Sequence, residues 1–296
     1  MRLAAIDIGS NAVRLLISEV SRYRDGSLDF TKVNLVRVPL RLGFDVFETG
    51  FISPEKTRDL AETMKAFGHL MTVYRVEALK VCATSAMRDA LNAREIIQTV
   101  EKQAGITIRV ISGREEAGIL YETHLAEQMD RSSAYLYIDV GGGSTELTLY
   151  GQQTDVLKRS FNIGTIRLLK KQVEDEAWTE MKEFIRSRIK GQGNLVGIGT
   201  GGNISKLFSM SKTKSGKPMN LEALRAYYRE MAPLSVAERI HRYGFREDRA
   251  DVIVPALEIY ISVMRWAGID EIQVPQIGLA DGLIRLLYQE QLSGRT

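Results

Sequence analysis

Two strings in the 296-residue chain set a carboxylate at the end of an apolar run, with small or hydroxyl-bearing residues directly after it. They are Asp7-Ile8-Gly9-Ser10-Asn11 and Asp139-Val140-Gly141-Gly142-Gly143-Ser144-Thr145. A turn whose backbone N–H groups converge can hold phosphate oxygens, and glycine there permits close approach with no Cβ in the way. Gly141, Gly142 and Gly143 meet that need, while Ser10, Asn11, Ser144 and Thr145 add hydroxyl and amide donors. A carboxylate beside a phosphate is repelled unless a divalent cation lies between them, directly or through water. Asp7 and Asp139 are therefore candidates for the metal side of such a site. One isolated Gly-Gly-Gly is equally well explained by a tight hairpin, but two matching turns with matching aspartates are not.

Three more side chains belong to this chemistry. Ser112 and Glu115 have capping-box spacing, so Glu115 has a structural reason to be there, whereas the adjacent Glu116 has none. Glu146 stands seven residues after Asp139 on the strand expected to return from the glycine turn, which lets both carboxylates flank one phosphate. Arg88 follows a strand end at Thr84, where a planar guanidinium suits bidentate phosphate binding. Arg14 is a secondary candidate, facing either the sheet surface or a cleft.

The elements that must position these residues alternate between strand and helix. LAAIDIG and VRLLISEV read as a hairpin, and the run over 33–42 as further strand. Ser53 followed by Pro54 predicts a helix over 54–73. A strand over 78–84, a helix from Ser85 renewed at Asn92 and stopped at Gly105, and a strand over 106–112 follow. The segment 134–150 then repeats the strand, aspartate turn and return strand about 130 residues later, the mark of an internal duplication. A third glycine turn lies within 195–208, and an amphipathic helix starts near 278. Neither aspartate turn opens into a helix and no GxxxxGK[ST] occurs, which sets aside a Walker loop and a dinucleotide fingerprint. The expected class is α/β, with two duplicated domains over 1–125 and 126–280 facing a central cleft and a helix over 281–296 rejoining the first.

Composition narrows the setting. The formal charge is only +3, yet residues 158–217 hold 13 basic against 5 acidic side chains, a surplus of 8. Clustered Lys and Arg steer polyanions toward a surface. The segment 211–218 reads as a flexible basic loop able to close over an anionic ligand. Cys82 is the single cysteine and reads as a buried strand residue, and the histidines show no zinc spacing. No signal-peptide pattern or membrane-length apolar run occurs, so a cytoplasmic protein with no membrane and no nucleic-acid polymer as partner is expected.

The strings DIGSNAVRLLI, ATSAMRDA, ISGREEA, YIDVGGGSTEL, GTGG and RADVIVPALEI together resemble the Ppx/GppA family of exopolyphosphatases and guanosine pentaphosphate phosphohydrolases. That family is part of the actin, Hsp70 and sugar-kinase superfamily. The resemblance implies two actin-like, ribonuclease H-like domains, in the family's short two-domain form. It implies that Glu116, the second Glu of the EEA string, is the catalytic base. Asp139 and Glu146 become the metal and water-orienting pair for Mg2+ or another divalent cation. The implied reaction removes the terminal phosphate of polyphosphate or of pppGpp as orthophosphate; self-association as a homodimer stays open. An ATP-dependent kinase using the GTGG turn for adenosine, or a binding sensor, are the alternatives. Gly118, Asn203 and Ala280-Asp281 depart from the family pattern around substrate-side positions, which leaves the choice of substrate open.

Overall fold

The computed structural model describes residues 1–113, 115, 116, 118, 119, 133–150, 157–211, 217–275 and 278–293. The expected strand–turn–strand units form where the apolar runs are. In the first unit, β1 (Arg2–Ile8) pairs antiparallel with β2 (Val13–Arg22), and β2 with β3 (Leu28–Val38). A helix not foreseen from periodicity, α1 (Leu42–Thr49), follows and ends at Gly50. The expected helix is α2 (Pro54–Val73), with Ser53 Oγ accepting the Lys56 N–H at 3.4 Å and proline at the first helical position. Beyond it come β4 (Ala78–Ala83), α3 (Ser85–Asp89), α4 (Ala93–Ala104) and β5 (Arg109–Val110). The strand expected over 106–112 is thus only two residues long, and the one expected over 33–42 begins earlier and stops before Pro39, which has no N–H to give.

In the second unit, β6 (Ala134–Val140), β7 (Thr145–Tyr150) and β8 (Leu157–Phe161) run antiparallel. They lead into α5 (Thr165–Leu169) and α6 (Asp175–Phe184), which continues as a π-helical turn over Ile185–Ile189. Then come β9 (Leu195–Thr200), α7 (Gly202–Met210), β10 (Met219–Asn220), α8 (Leu221–Met231), α9 (Val236–Tyr243), α10 (Glu247–Ala250), α11 (Ile253–Ala267) and β11 (Glu271–Gln273). The last helix is α12 (Leu279–Ser293).

Topology repeats as the sequence does. The first sheet has the order β3-β2-β1-β4-β5; the second contains β8-β7-β6-β9-β11, with β10 added at its edge. In both, the strand bearing the aspartate is central, antiparallel to its hairpin partner and parallel to the strand on its other side. A central strand is buried on both faces, which is why LAAI and AYLYI are nearly continuous apolar runs. The chain separates into Met1–Leu125 with Ile277–Thr296, and Ala126–Gln276. The first unit takes the last helix because Leu283, Ile284 and Leu287 pack with Leu3, Ala5, Leu16 and Cys82. Cys82 is fully buried there, which pushes its thiol up to about 11. Among the described residues, no helix is long and apolar enough to cross a membrane.

Candidate active site

The glycine turn of the second unit is held by its neighbours through its carbonyls. The Gly141 N–H donates to the Ser144 carbonyl at 2.9 Å, which closes the turn between β6 and β7. The Gly141 carbonyl accepts the Thr165 N–H at 3.0 Å, and the Gly142 carbonyl the Ile166 N–H at 2.9 Å. Arg167 Nε donates to the Gly143 carbonyl at 2.8 Å. The start of α5 therefore seats against the turn, and Gly164 permits it: a Cβ there would lie 2.4 Å from the Gly142 oxygen. Gly164→Ala is expected to push the turn out of place and cost about 1–3 kcal/mol in urea unfolding. Thr145, grouped with the phosphate donors from the sequence, is wholly buried and donates its hydroxyl to the Ile163 carbonyl at 2.6 Å. Its side chain fastens the strand and is not offered to a ligand.

Asp139 and Glu146 are register partners across β6 and β7, so they share one face of the sheet. Glu146 is buried and interior in the sheet, since β8 covers the far side of β7. Its Oε1 accepts Ser144 Oγ at 2.6 Å and Ser160 Oγ at 3.0 Å. On the other side of Asp139, the register partner is Thr200 at the end of β9. The backbone next turns through Gly201 at φ 104, and a Cβ at that residue would come within 3.1 Å of Asp139 Oδ1. Glycine thus keeps the space at the carboxylate clear. Tyr260, fully buried on α11, donates its hydroxyl to the Thr200 carbonyl; burial, then the charge of Asp139, raises its pKa far above the phenol range. Arg249 donates to the Gly202 carbonyl, so the RADVIVPALEI string braces the GTGG turn. Sequence reasoning did not single out Arg167, Thr200, Arg249 or Tyr260 as parts of this site.

The first unit has the same frame with different contents. Asp7 is in register with Arg14 and bound to it, Nη1 to Oδ2 at 2.7 Å, with the aspartate buried. Arg14 thus neutralises Asp7, the position the sequence offered to a cation. Ser10 and Ser85 share a hydroxyl hydrogen bond at 2.7 Å, and the Asn11 carbonyl accepts the Arg41 N–H at 3.0 Å. Arg88 Nη1 donates to the Ile111 carbonyl at 3.1 Å, directly before Ser112. Ser112 Oγ accepts the Glu115 N–H at 3.1 Å and its carbonyl the Glu116 N–H at 3.0 Å. The Glu115 carboxylate reaches Arg109 at 2.6 Å. Arg88 and Glu116 therefore belong to one corner of this unit, with Ile111-Ser112 between them.

The model of the Ppx/GppA phosphatase family matches residues 19–290. The chain belongs to that family. The exopolyphosphatase 2 of Mycobacterium tuberculosis is 26% identical over 314 residues, covering 95% of this chain and 97% of its own. A bifunctional 3-dehydroquinate synthase/phosphatase of Fusobacterium nucleatum is 30% identical over 63% of this chain, and the match spans only 30% of that protein. The crystal structure of the Aquifex aeolicus Ppx/GppA member matches with TM-score 0.75 at 26% identity, over 100% of this chain and 99% of that one. The fold is accordingly that of the Ppx/GppA structures, mixed α/β with two actin-like domains, one on each sheet.

Whether the family member's own residues fit a divalent cation can be judged at Asp139. Among the described residues no cluster of three or more His, Cys, Asp and Glu side chains stands ready as a cage. Magnesium does not ask for one, since it usually keeps several waters and takes one or two carboxylates plus substrate phosphates. Asp139 and Glu146 side by side, the clearance that Gly201 leaves at Oδ1, and the buried Thr200 Oγ1, which has no hydrogen-bond partner, fit such a hydrated ion.

Proposed function

We propose that this Ppx/GppA protein hydrolyses terminal phosphoanhydrides, releasing orthophosphate from inorganic polyphosphate or pppGpp with a divalent cation bound. The observation that carries this reading is the register pairing of Asp139 with Glu146 beside a glycine turn whose carbonyls are already bound elsewhere. Two adjacent carboxylates repel each other and any phosphate unless positive charge joins them. When bound, the cation supplies that charge to the phosphate oxygens, and Asp139 and Glu146 are the residues that would hold it. Glu116 accepts the proton of the attacking water, a role typically contributing about 10²–10⁴ in rate. Arg88, Ser10, Asn11 and Ser144, with the N–H groups of Gly141 to Gly143, neutralise and orient the phosphoryl group. Asp7, paired with Arg14, keeps the first turn in shape and is left out of the cation's shell.

Polyphosphate is the first substrate to test, because the M. tuberculosis relative is named an exopolyphosphatase and the 158–217 segment is basic. Orthophosphate release should be measured side by side on long and short polyphosphate, pppGpp and ATP with Mg2+ present. Release from none of them would sink the hydrolase reading. Within the segment, residues 212–216 lie outside those described, so its lysines are best probed by mutation. Replacing Lys212, Lys214 and Lys217 with glutamine should raise the KM for polyphosphate several-fold and flatten its salt dependence, since contacts to a polyanion weaken with salt in proportion to the charges involved. The KM for pppGpp should barely change. An unaltered salt dependence for polyphosphate would remove these lysines from substrate binding.

A further inference from the structure

The two aspartate turns are copies of one frame, and the register partners of each aspartate show what the copies have become. In the first unit the row across β2, β1 and β4 reads Arg14, Asp7, Cys82. In the second, across β7, β6 and β9, it reads Glu146, Asp139, Thr200. Residues opposed in register share a face, so each row is a line of three neighbouring side chains. In the first row a guanidinium satisfies the carboxylate at 2.7 Å, and the third place is a buried thiol that asks for no partner. In the second row the arginine's place is taken by another carboxylate, and the thiol's place by a hydroxyl.

That hydroxyl is conspicuous on energetic grounds. Thr200 is 3% exposed and its Oγ1 has no hydrogen-bond partner. Leaving a buried hydroxyl unsatisfied costs about 1–3 kcal/mol, and valine would fill the same volume without that cost. The backbone around it is firmly held: the Tyr260 hydroxyl fixes the Thr200 carbonyl, and the next residue, Gly201, has no Cβ to crowd Asp139 Oδ1, which one would approach to 3.1 Å. The row thus has two neighbouring carboxylates and, next to Asp139, a buried hydroxyl short of a partner.

We infer that Thr200 is a positioning residue of the cation site, its hydroxyl taking a hydrogen bond from, or giving one to, the hydration shell of the ion held by Asp139 and Glu146. This rests on the cation-dependent reading above and extends it to a residue on a third strand. Outer-shell partners of this kind typically change metal affinity about tenfold or more when removed.

The test is Mn2+ binding to the full chain, followed by electron paramagnetic resonance and by the rise in Tm that Mn2+ produces, without substrate. Thr200→Val should weaken Mn2+ binding about tenfold and reduce the Mn2+-dependent rise in Tm, while the metal-free Tm stays the same or increases. Thr200→Ser should bind as the wild type does. A merely structural threonine would show the opposite pattern, with a lower metal-free Tm and unchanged Mn2+ affinity, and that result would overturn the inference. Asp139→Asn serves as the control. If it loses Mn2+ binding while Thr200→Val does not, Thr200 has no part in the site and the cation reading stands. If neither variant nor wild type binds Mn2+, the cation reading itself has failed and takes this inference with it.

Discussion

Glu116→Gln is expected to lower phosphate release by at least about two orders of magnitude while leaving phosphate binding near its wild-type level. The amide is close to the carboxylate in shape, so contacts made by the side chain's outline persist, but it cannot accept a proton from water at neutral pH. Glu115→Gln is the matched control, and the structure changes the reason for it. The sequence suggested that Glu115 closes a capping box with Ser112. The Ser112 half is present, with Oγ accepting the Glu115 N–H, but the Glu115 carboxylate is paired with Arg109 at 2.6 Å. Arg109 is mostly exposed, and such pairs are worth about 0–1 kcal/mol. Glu115→Gln should therefore shift unfolding slightly and turnover hardly at all. Equal losses of turnover in the two variants would show that the assignment of the base between these neighbours is wrong.

The second large effect is expected at the carboxylate pair. Asp139→Asn and Glu146→Gln should each raise the Mg2+ concentration needed for half-maximal phosphate release by an order of magnitude or more, because an ion with few protein ligands loses a large share of its hold with each one. The fold should survive both changes. Each amide keeps the outline of the acid it replaces, so the pairing of β6 with β7 is preserved. Ser144 and Ser160 can still bond to a glutamine at position 146 through its carbonyl oxygen. Titration of activity against Mg2+, with Tm recorded without metal, separates the two effects. A variant inactive at every Mg2+ concentration but with wild-type metal affinity would contradict the assignment.

What the sequence by itself determined is local. Asp7 and Asp139 at strand ends, the glycines after them, the helix that starts at Ser53-Pro54 and the Ser112 cap are each written within a few adjacent residues. Backbone sterics and short-range hydrogen bonds make them, and the structure has them. The duplication was legible for the same reason, being the recurrence of one local pattern. Only the tertiary structure decided which of these places face one another. Thr200 is 61 residues from Asp139, and its position beside it follows from the parallel pairing of β6 with β9. Gly164 and Arg167 reach the glycine turn from α5, and Tyr260 and Arg249 reach the GTGG turn from the other end of the unit. Arg14 stood seven residues from Asp7, yet only the hairpin register showed that the first aspartate has an arginine across from it and the second a glutamate. Alternation along one strand tells which face a residue takes. The neighbour across the sheet is set by strand pairing, and that depends on how the whole unit buries its apolar surface.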